Sequence, residues 1–121
     1  MSKLLICLLI PLFFIATTLI AGEADVVGVK ISKNKSDAYD FDVSVFHEDT
    51  GWEHYANKWE ILDEKGNVLG TRVLHHPHVG EQPFERELLK VQIKSDVTHV
   101  IVRAHDLIHK YGGKTIKMKL P

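Results

Sequence analysis

The sequence predicts an all-β protein, an antiparallel sandwich of about seven short strands in the style of immunoglobulin and fibronectin type III domains. Three observations lead to this fold class. Several short segments alternate apolar and polar residues with a period of two, turn-forming residues separate these segments, and no stretch sustains the 3.6-residue period of an amphipathic helix. A small closed barrel is the main competing architecture.

The apolar residues define the predicted strands in order along the chain. The second strand is the clearest, because Phe41, Val43 and Val45 alternate strictly with polar residues. Trp59 lies on the third strand, where sandwiches of this kind often bury a tryptophan. Gly66 supplies the turn that leads into the fourth strand. The seven predicted strands are centred on residues 27–31, 39–45, 59–61, 68–74, 88–93, 100–104 and 116–120.

The N-terminal segment has the pattern of a secretory signal peptide, predicted to span residues 1–24. A basic start precedes an almost wholly apolar run, Leu4 to Ile20, and small residues at positions 22 and 24 fit a cleavage site. An uncleaved membrane anchor is the alternative, since the run is at the lower limit for a bilayer span. Cleavage leaves a single domain, residues 25–121, in the periplasm or secreted, and without stable membrane association.

Cysteine and charge exclude several function classes. Cys7 is the only cysteine and lies inside the apolar run, so lipidation is not expected and the mature domain has no thiol. A disulfide, a thiolate metal site and a blue-copper centre are thereby excluded. Basic and acidic residues nearly balance, at 15 and 16, so nucleic-acid binding has no electrostatic basis.

Histidine is the residue type that points to chemistry. Seven of the eight histidines fall on the links 47–58, 75–84 and 105–114. If consecutive strands run alternately up and down, these three links meet at one end of the sandwich, and the histidine-free links meet at the other. Imidazole is the commonest protein metal ligand, so convergence of the three links predicts a composite metal site.

The predicted ligands of a Cu(II) or Zn(II) ion come from all three links. They are His54, His76, His78, His105 and His109. Two further histidines are doubtful members, His47 and His75. His47 continues the inward face of the second strand, so it could simply hydrogen-bond inside the sandwich end.

Four acidic residues lie in or beside the same links: Asp49, Glu53, Glu81 and Asp106. They could accept hydrogen bonds from metal-bound histidines and so orient them. Glu53 or Asp106 could instead act as a general base beside a metal-bound water.

Several short motifs extend over essentially the whole mature chain. Together they resemble a family of small exported bacterial proteins without an assigned activity. The resemblance implies a periplasmic or secreted setting, and it supplies no mechanism. The motifs are DTGWEHYA (49–56), LGTRVL (69–74), HPH (76–78), EQPF (81–84), RAHD (103–106) and YGGK (111–114).

The sequence therefore favours a periplasmic or secreted copper- or zinc-binding protein, which could exchange its ion with a metal-handling partner protein. The first alternative is a protein- or glycan-binding module that uses four aromatic residues of the links: Trp52, Tyr55, Phe84 and Tyr111. A metal-dependent hydrolase ranks third, because no residue is assigned a catalytic role and nothing in the sequence names a substrate.

Overall fold

The structure is a computed structural model that describes residues 22–35 and 37–121. Most of the predicted signal peptide, with Cys7, lies outside the described residues. The described chain contains seven strands: β1 (Asp25–Lys33), β2 (Ala38–Phe46), β3 (Ala56–Leu62), β4 (Val68–Val73), β5 (Phe84–Gln92), β6 (His99–Asp106) and β7 (Ile116–Lys119).

The strands form two antiparallel sheets, one with the order β1-β2-β5 and one with the order β4-β3-β6-β7. This arrangement confirms the predicted all-β sandwich. In the constant-type immunoglobulin order the fourth strand belongs to the sheet of the first, second and fifth strands. Here β4 pairs with β3 instead, from Lys58 opposite Val73 to Leu62 opposite Val68.

The core lies between the sheets and is built from the alternate residues that the sequence pattern marked. Phe41, Val43 and Val45 of β2 are buried against Trp59 and its neighbours on the opposite sheet. Burying such a side chain stabilises the fold by roughly 1.5–3 kcal/mol relative to exposing it. The tryptophan of β3 is fully buried, as the comparison with other sandwiches predicted.

Two strands differ from the strands that the sequence predicts. A register shift between Val26 and Gly28 interrupts the β1–β2 pairing, so Val26 is buried whereas Val27 is half exposed. A bulge of this kind changes which side chains face the core. β5 begins at Phe84, four residues before the predicted segment, because Phe84 pairs with Val45 of β2.

The start of β1 packs against the link between β6 and β7. The Val26 amide donates to the Lys114 carbonyl at 2.9 Å, and the Lys114 amide donates to Asp25 Oδ1 at 2.7 Å. A side chain at Gly113 would overlap the Ala24 carbonyl oxygen, so this close approach requires glycine.

Within residues 22–35 and 37–121, no helix is long and apolar enough to cross a membrane.

Candidate metal centre

His47 and Asp106 enter the site from opposite sheets, each as the last member of an inward-facing row. On β2 the row is Phe41, Val43 and Val45, and His47 continues it one residue beyond the strand end. On β6 the buried positions are Val100, Val102, Ala104 and Asp106. Because side chains alternate strictly along a strand, both polar groups are directed between the sheets, where they are buried.

His54 enters the site from a tight turn in the link between β2 and β3. The Thr50 amide donates to the His54 carbonyl at 3.0 Å, and the His54 amide donates to the Gly51 carbonyl at 3.2 Å. Gly51 has a φ of 147°, which favours glycine. The turn folds the chain back so that the His54 ring reaches the inward rows of both sheets.

His47, His54 and Asp106 each place one potential metal-ligand atom in a common volume, with these atoms all within 4.8 Å of one another. The Nε2 atoms of His47 and His54 are 3.2 Å apart, and His54 Nε2 is 3.1 Å from Asp106 Oδ1. Two ligand atoms of a tetrahedral zinc ion, with bonds near 2.0–2.1 Å, are separated by about 3.3 Å. The observed separations are close to this value.

Asp49 fixes the orientation of the His47 ring. His47 Nδ1 donates to Asp49 Oδ1 at 2.5 Å, so in its neutral form the ring presents the lone pair of Nε2 to the site. Asp49 also accepts the Ala56 amide at Oδ1 and the His78 amide at Oδ2. A carboxylate that holds the far nitrogen of an imidazole is the usual support of a metal-bound histidine.

Asp106 is also fixed by several hydrogen bonds, but these involve only one of its two carboxylate oxygens. Its Oδ1 accepts the backbone amides of Ile108 and His109, at 2.9 and 2.6 Å, in addition to the contact with His54. Its Oδ2 is buried and has no hydrogen-bond partner among the described residues. His109 Nδ1, 3.4 Å from Asp106 Oδ1, is also buried and has no hydrogen-bond partner in the described part of the chain. These two unpartnered atoms lie beside the three-residue group.

Both aspartates stay ionised in this environment. Burial by itself raises the pKa of Asp49, but the hydrogen bonds from the His47 ring and from the His78 and Ala56 amides outweigh it, so the pKa lies below the usual value. The pKa of Asp106 is lowered in the same way, with burial opposed mainly by the amides of His109 and Ile108 and by the His54 ring. The group therefore holds two buried carboxylates, whose charge suits a cation.

The link between β4 and β5 brings His78 next to this group. The His78 ring is buried, stacks on Phe84 with centroids 4.1 Å apart, and has Nδ1 3.9 Å from Asp49 Oδ2. Burial, with smaller contributions from the positive charges of Arg86 and His76, lowers the pKa of His78. His76 is exposed, and its ring centroid lies 4.7 Å from that of His78.

His105 takes a different direction from the other predicted ligands. It lies between the inward positions Ala104 and Asp106, so its side chain belongs to the outer face of the sheet. There Nδ1 contacts Asn57 Oδ1 at 2.5 Å, and the ring packs edge-on against Tyr111. Burial and the nearby Lys58 and Lys110 charges lower the pKa of His105.

The structure therefore brings together only part of the predicted ligand set. The three links do converge, since His54 contacts Asp106 and the His78 amide contacts Asp49. His54 belongs to the central group, the His109 ring lies 5.3 Å from the His54 ring, and His78 is attached through Asp49. His76 is exposed beside the buried His78, His75 is exposed just after the end of β4, and the His105 side chain is on the outer face of its sheet, away from the central group.

The structure places His47 and Asp106 in the central group. The sequence predicts His47 only as a doubtful ligand and Asp106 only as an orienting group or a base. The signal that could have found both is the alternation of β2 and β6 continued one step further. The same alternation separates Asp106 from His105, its neighbour in sequence.

The aromatic residues of the links are not a uniform exposed surface. Trp52 is 66% exposed and packs edge-on against Tyr55. Phe84 is buried beneath His78. Tyr111 is covered by the Arg103 guanidinium, 3.7 Å from the ring centre. Only Trp52 of these four has the large exposed ring that the binding-module alternative predicts.

The chain is similar to a protein of Halomicrobium mukohataei named "Putative lipoprotein". The two are 36% identical over 94 residues, which are 78% of this chain and 46% of the relative. The chain thus spans less than half the length of that relative. No family model and no solved structure matches the chain.

Proposed function

We propose that the protein is an exported metal-binding protein that holds one Zn(II) or Cu(II) ion through His47, His54 and Asp106, with His109 as the fourth ligand. The observation that carries the proposal is the meeting of three buried ligand atoms within 4.8 Å, in the company of a buried carboxylate oxygen without a partner. Buried polar groups are nearly always hydrogen-bonded, and a bound cation would satisfy those left over here.

Mixed imidazole and carboxylate donors suit Zn(II) and Cu(II), whereas a Cu(I) site usually has sulfur ligands. The 3.1 and 3.2 Å separations from His54 Nε2 are close to the spacing of two neighbouring ligands in a tetrahedral Zn(II) site. Affinity alone favours Cu(II), because it binds nitrogen ligands more tightly than Zn(II) does. We therefore propose both ions as cargo.

The burial of the ligands supports holding an ion over catalysis with it. The side chains of His47 and Asp106 are fully buried and that of His54 is 7% exposed. A catalytic zinc keeps an open position for water or substrate. Glu53, one of the two candidate bases, is exposed and contacts Thr50. A metal-dependent hydrolase is thus the weaker proposal.

Export rests on two independent supports. The apolar N-terminal run has the pattern of a secretory leader, and the similar protein of Halomicrobium mukohataei is named "Putative lipoprotein", a name typical of exported proteins. We propose the periplasm or the extracellular space as the location, and a metal-handling protein as the partner that supplies or receives the ion.

Isothermal titration calorimetry of the metal-free protein with Zn²⁺ and with Cu²⁺ tests the proposal. We expect one ion per chain with a Kd well below about 0.1 mM, and we expect His54→Gln and Asp106→Asn to weaken binding strongly. His105→Gln is the matched control, because it removes an adjacent imidazole that faces away. Binding weaker than about 0.1 mM, or equal losses for the control and the site variants, would contradict the proposal.

A protein- or glycan-binding role has one observation in its favour, the 66% exposed Trp52 at the site end. Exposed aromatic rings are common anchors in recognition. Titration with oligosaccharides, followed by tryptophan fluorescence, tests this alternative. A saturable change that disappears in Trp52→Ser would support it, and an unchanged spectrum would argue against it.

A further inference from the structure

The imidazole of His78 is in an unusual environment for a buried polar group. Both of its ring nitrogens are shielded from solvent, and neither has a hydrogen-bond partner among the described residues. The ring is stacked nearly parallel on Phe84, with an interplanar angle of 11°. Buried polar atoms without partners are rare and call for an explanation, such as an ion that binds there.

The ring of His76 contacts the ring of His78. The two centroids are 4.7 Å apart, and His76 is exposed. Pro77 restrains the segment between them, and the contact of His76 Nδ1 with the Pro77 carbonyl oxygen, 3.2 Å away, leaves Nε2 of His76 free for solvent. An exposed imidazole thus lies beside a buried one.

The inner side of His78 faces Asp49. Its Nδ1 is 3.9 Å from Asp49 Oδ2, which is too far for a hydrogen bond. One zinc or copper ion with bonds of about 2.0–2.2 Å can contact both atoms, with an angle of about 125–155° between the two bonds, wider than the tetrahedral angle. The other oxygen of the same carboxylate accepts the Nδ1 proton of His47. Asp49 is therefore common to this position and to the central group.

We propose that His76, His78 and Asp49 Oδ2 form an outer loading site through which a divalent cation, Zn²⁺ or Cu²⁺, reaches the central site. This inference rests on the proposed function. His76 captures the ion from solvent, His78 draws it below the surface, and Asp49 brings it next to His47. Because an ion at Asp49 Oδ2 draws on the carboxylate that orients His47, the two sites are occupied in turn.

Stopped-flow kinetics with Zn²⁺ and a chromophoric zinc indicator tests the route. A loading site lowers the barrier in both directions, so its removal slows association and dissociation by the same factor and leaves Kd unchanged. We expect His76→Ala and His78→Phe to slow both rates by about tenfold. The phenylalanine keeps the stack on Phe84 and the backbone bond to Asp49 while it removes both ring nitrogens. His75→Ala is the matched control, because it removes an exposed neighbouring imidazole that is not part of the proposed loading site.

Wild-type rates in both variants would overturn the loading site while leaving the central site intact. A higher Kd with an unchanged association rate would also overturn it, because the two histidines would then be ligands of the final complex. Equal slowing by His75→Ala would show that the rates depend only on local charge. This result would likewise overturn the proposed route. A wild-type protein that binds no Zn²⁺ would overturn the proposed function together with the route.

Discussion

Each end of the sandwich has an aspartate that accepts several hydrogen bonds, but the two aspartates have different structural roles. At the end without the histidine links, Asp63 accepts the amides of Lys65 and Asn67 and the side-chain amide of Asn67, all within its own hairpin turn. At the site end, Asp49 accepts amides from two different links and the ring proton of His47. The first aspartate closes one exposed turn, whereas the second joins separate parts of the chain in the interior.

The pKa values of the two aspartates are both low, for different reasons. The pKa of Asp63 is lowered mainly by the side chain and backbone of Asn67, and burial opposes the shift less than either of these two hydrogen bonds. The pKa of Asp49 is lowered although burial is the largest single influence and acts in the opposite direction. A surface carboxylate that accepts only nearby amides thus closes a turn. A buried carboxylate that also contacts histidines forms part of a candidate metal site.

The largest effect that this comparison predicts is a loss of stability in the variant Asp49→Asn. The amide cannot replace a carboxylate that receives an imidazole proton and two buried amides, so the free energy of unfolding should fall by about 2–4 kcal/mol. Urea denaturation measures the change. Asp63→Asn is the control, and we expect it to stay near wild type. Equal losses at both ends would show that Asp49 is only another turn aspartate.

The second effect concerns metal-dependent stabilisation. A ligand that binds only the folded state stabilises it by about 2.7 kcal/mol when present at 100 times its Kd. Thermal denaturation with and without Zn²⁺ should therefore show a higher Tm in wild type and no shift in His54→Gln. His99→Gln, at the opposite end, should keep the full shift. A shift that survives in His54→Gln would place the ion elsewhere.

The third effect is a loss of stability at acid pH. His78 and His105 have folded-state pKa values below the usual 6.5, so the unfolded chain takes up protons first as the pH falls. Stability should be constant above about pH 7 and decrease below pH 6.5, with a slope of at most about 1.4 kcal/mol per pH unit for each group. Urea denaturation of the metal-free protein at a series of pH values measures the slope.

A second decrease should follow below pH 3.8 as Asp49 and Asp106 take up protons, because their lowered pKa values stabilise the folded state only while they are ionised. His78→Phe is the variant that tests the first decrease, and its slope between pH 6.5 and 5 should be smaller. A slope identical to that of wild type would contradict the assignment to His78.

The smallest effect is expected at the exposed ring of the site end. Trp52→Ser removes a side chain that is 66% exposed, so stability should change by no more than about 0.5 kcal/mol. Trp59→Ser is the contrasting variant, since that ring is fully buried and its loss should unfold much of the chain. A large loss in Trp52→Ser would show that the link packs more tightly than the exposure indicates.

The fold could be predicted from the sequence because its signal is local. Period-two alternation in β2 and β6 and the turn chemistry of 63–67 identify the strands without knowledge of their partners. β5 was shortened in the prediction, since Glu85, Arg86 and Glu87 give a polar pattern that only pairing with β2 converts into a strand. The bulge in β1 could not be predicted either, because it depends on how β1 pairs with Ser44 and Val45 of β2.

The site could be predicted only in outline. Strand parity placed three histidine links at one end, and the contacts of His54 and His78 confirm that convergence. Parity gives no side-chain direction, so it could not separate Asp106, which faces inward, from His105, which faces outward. Nor could it show that Asp49 orients His47, because that contact depends on how the link between β2 and β3 folds.

The most direct test of the central claim is a crystal structure of the protein grown with ZnCl₂, with anomalous data collected at the zinc edge. We predict a peak between His47 Nε2, His54 Nε2 and the Asp106 carboxylate, with ligand distances near 2.0–2.2 Å. Peaks confined to exposed histidines such as His75 and His99, with none in this group, would contradict the account.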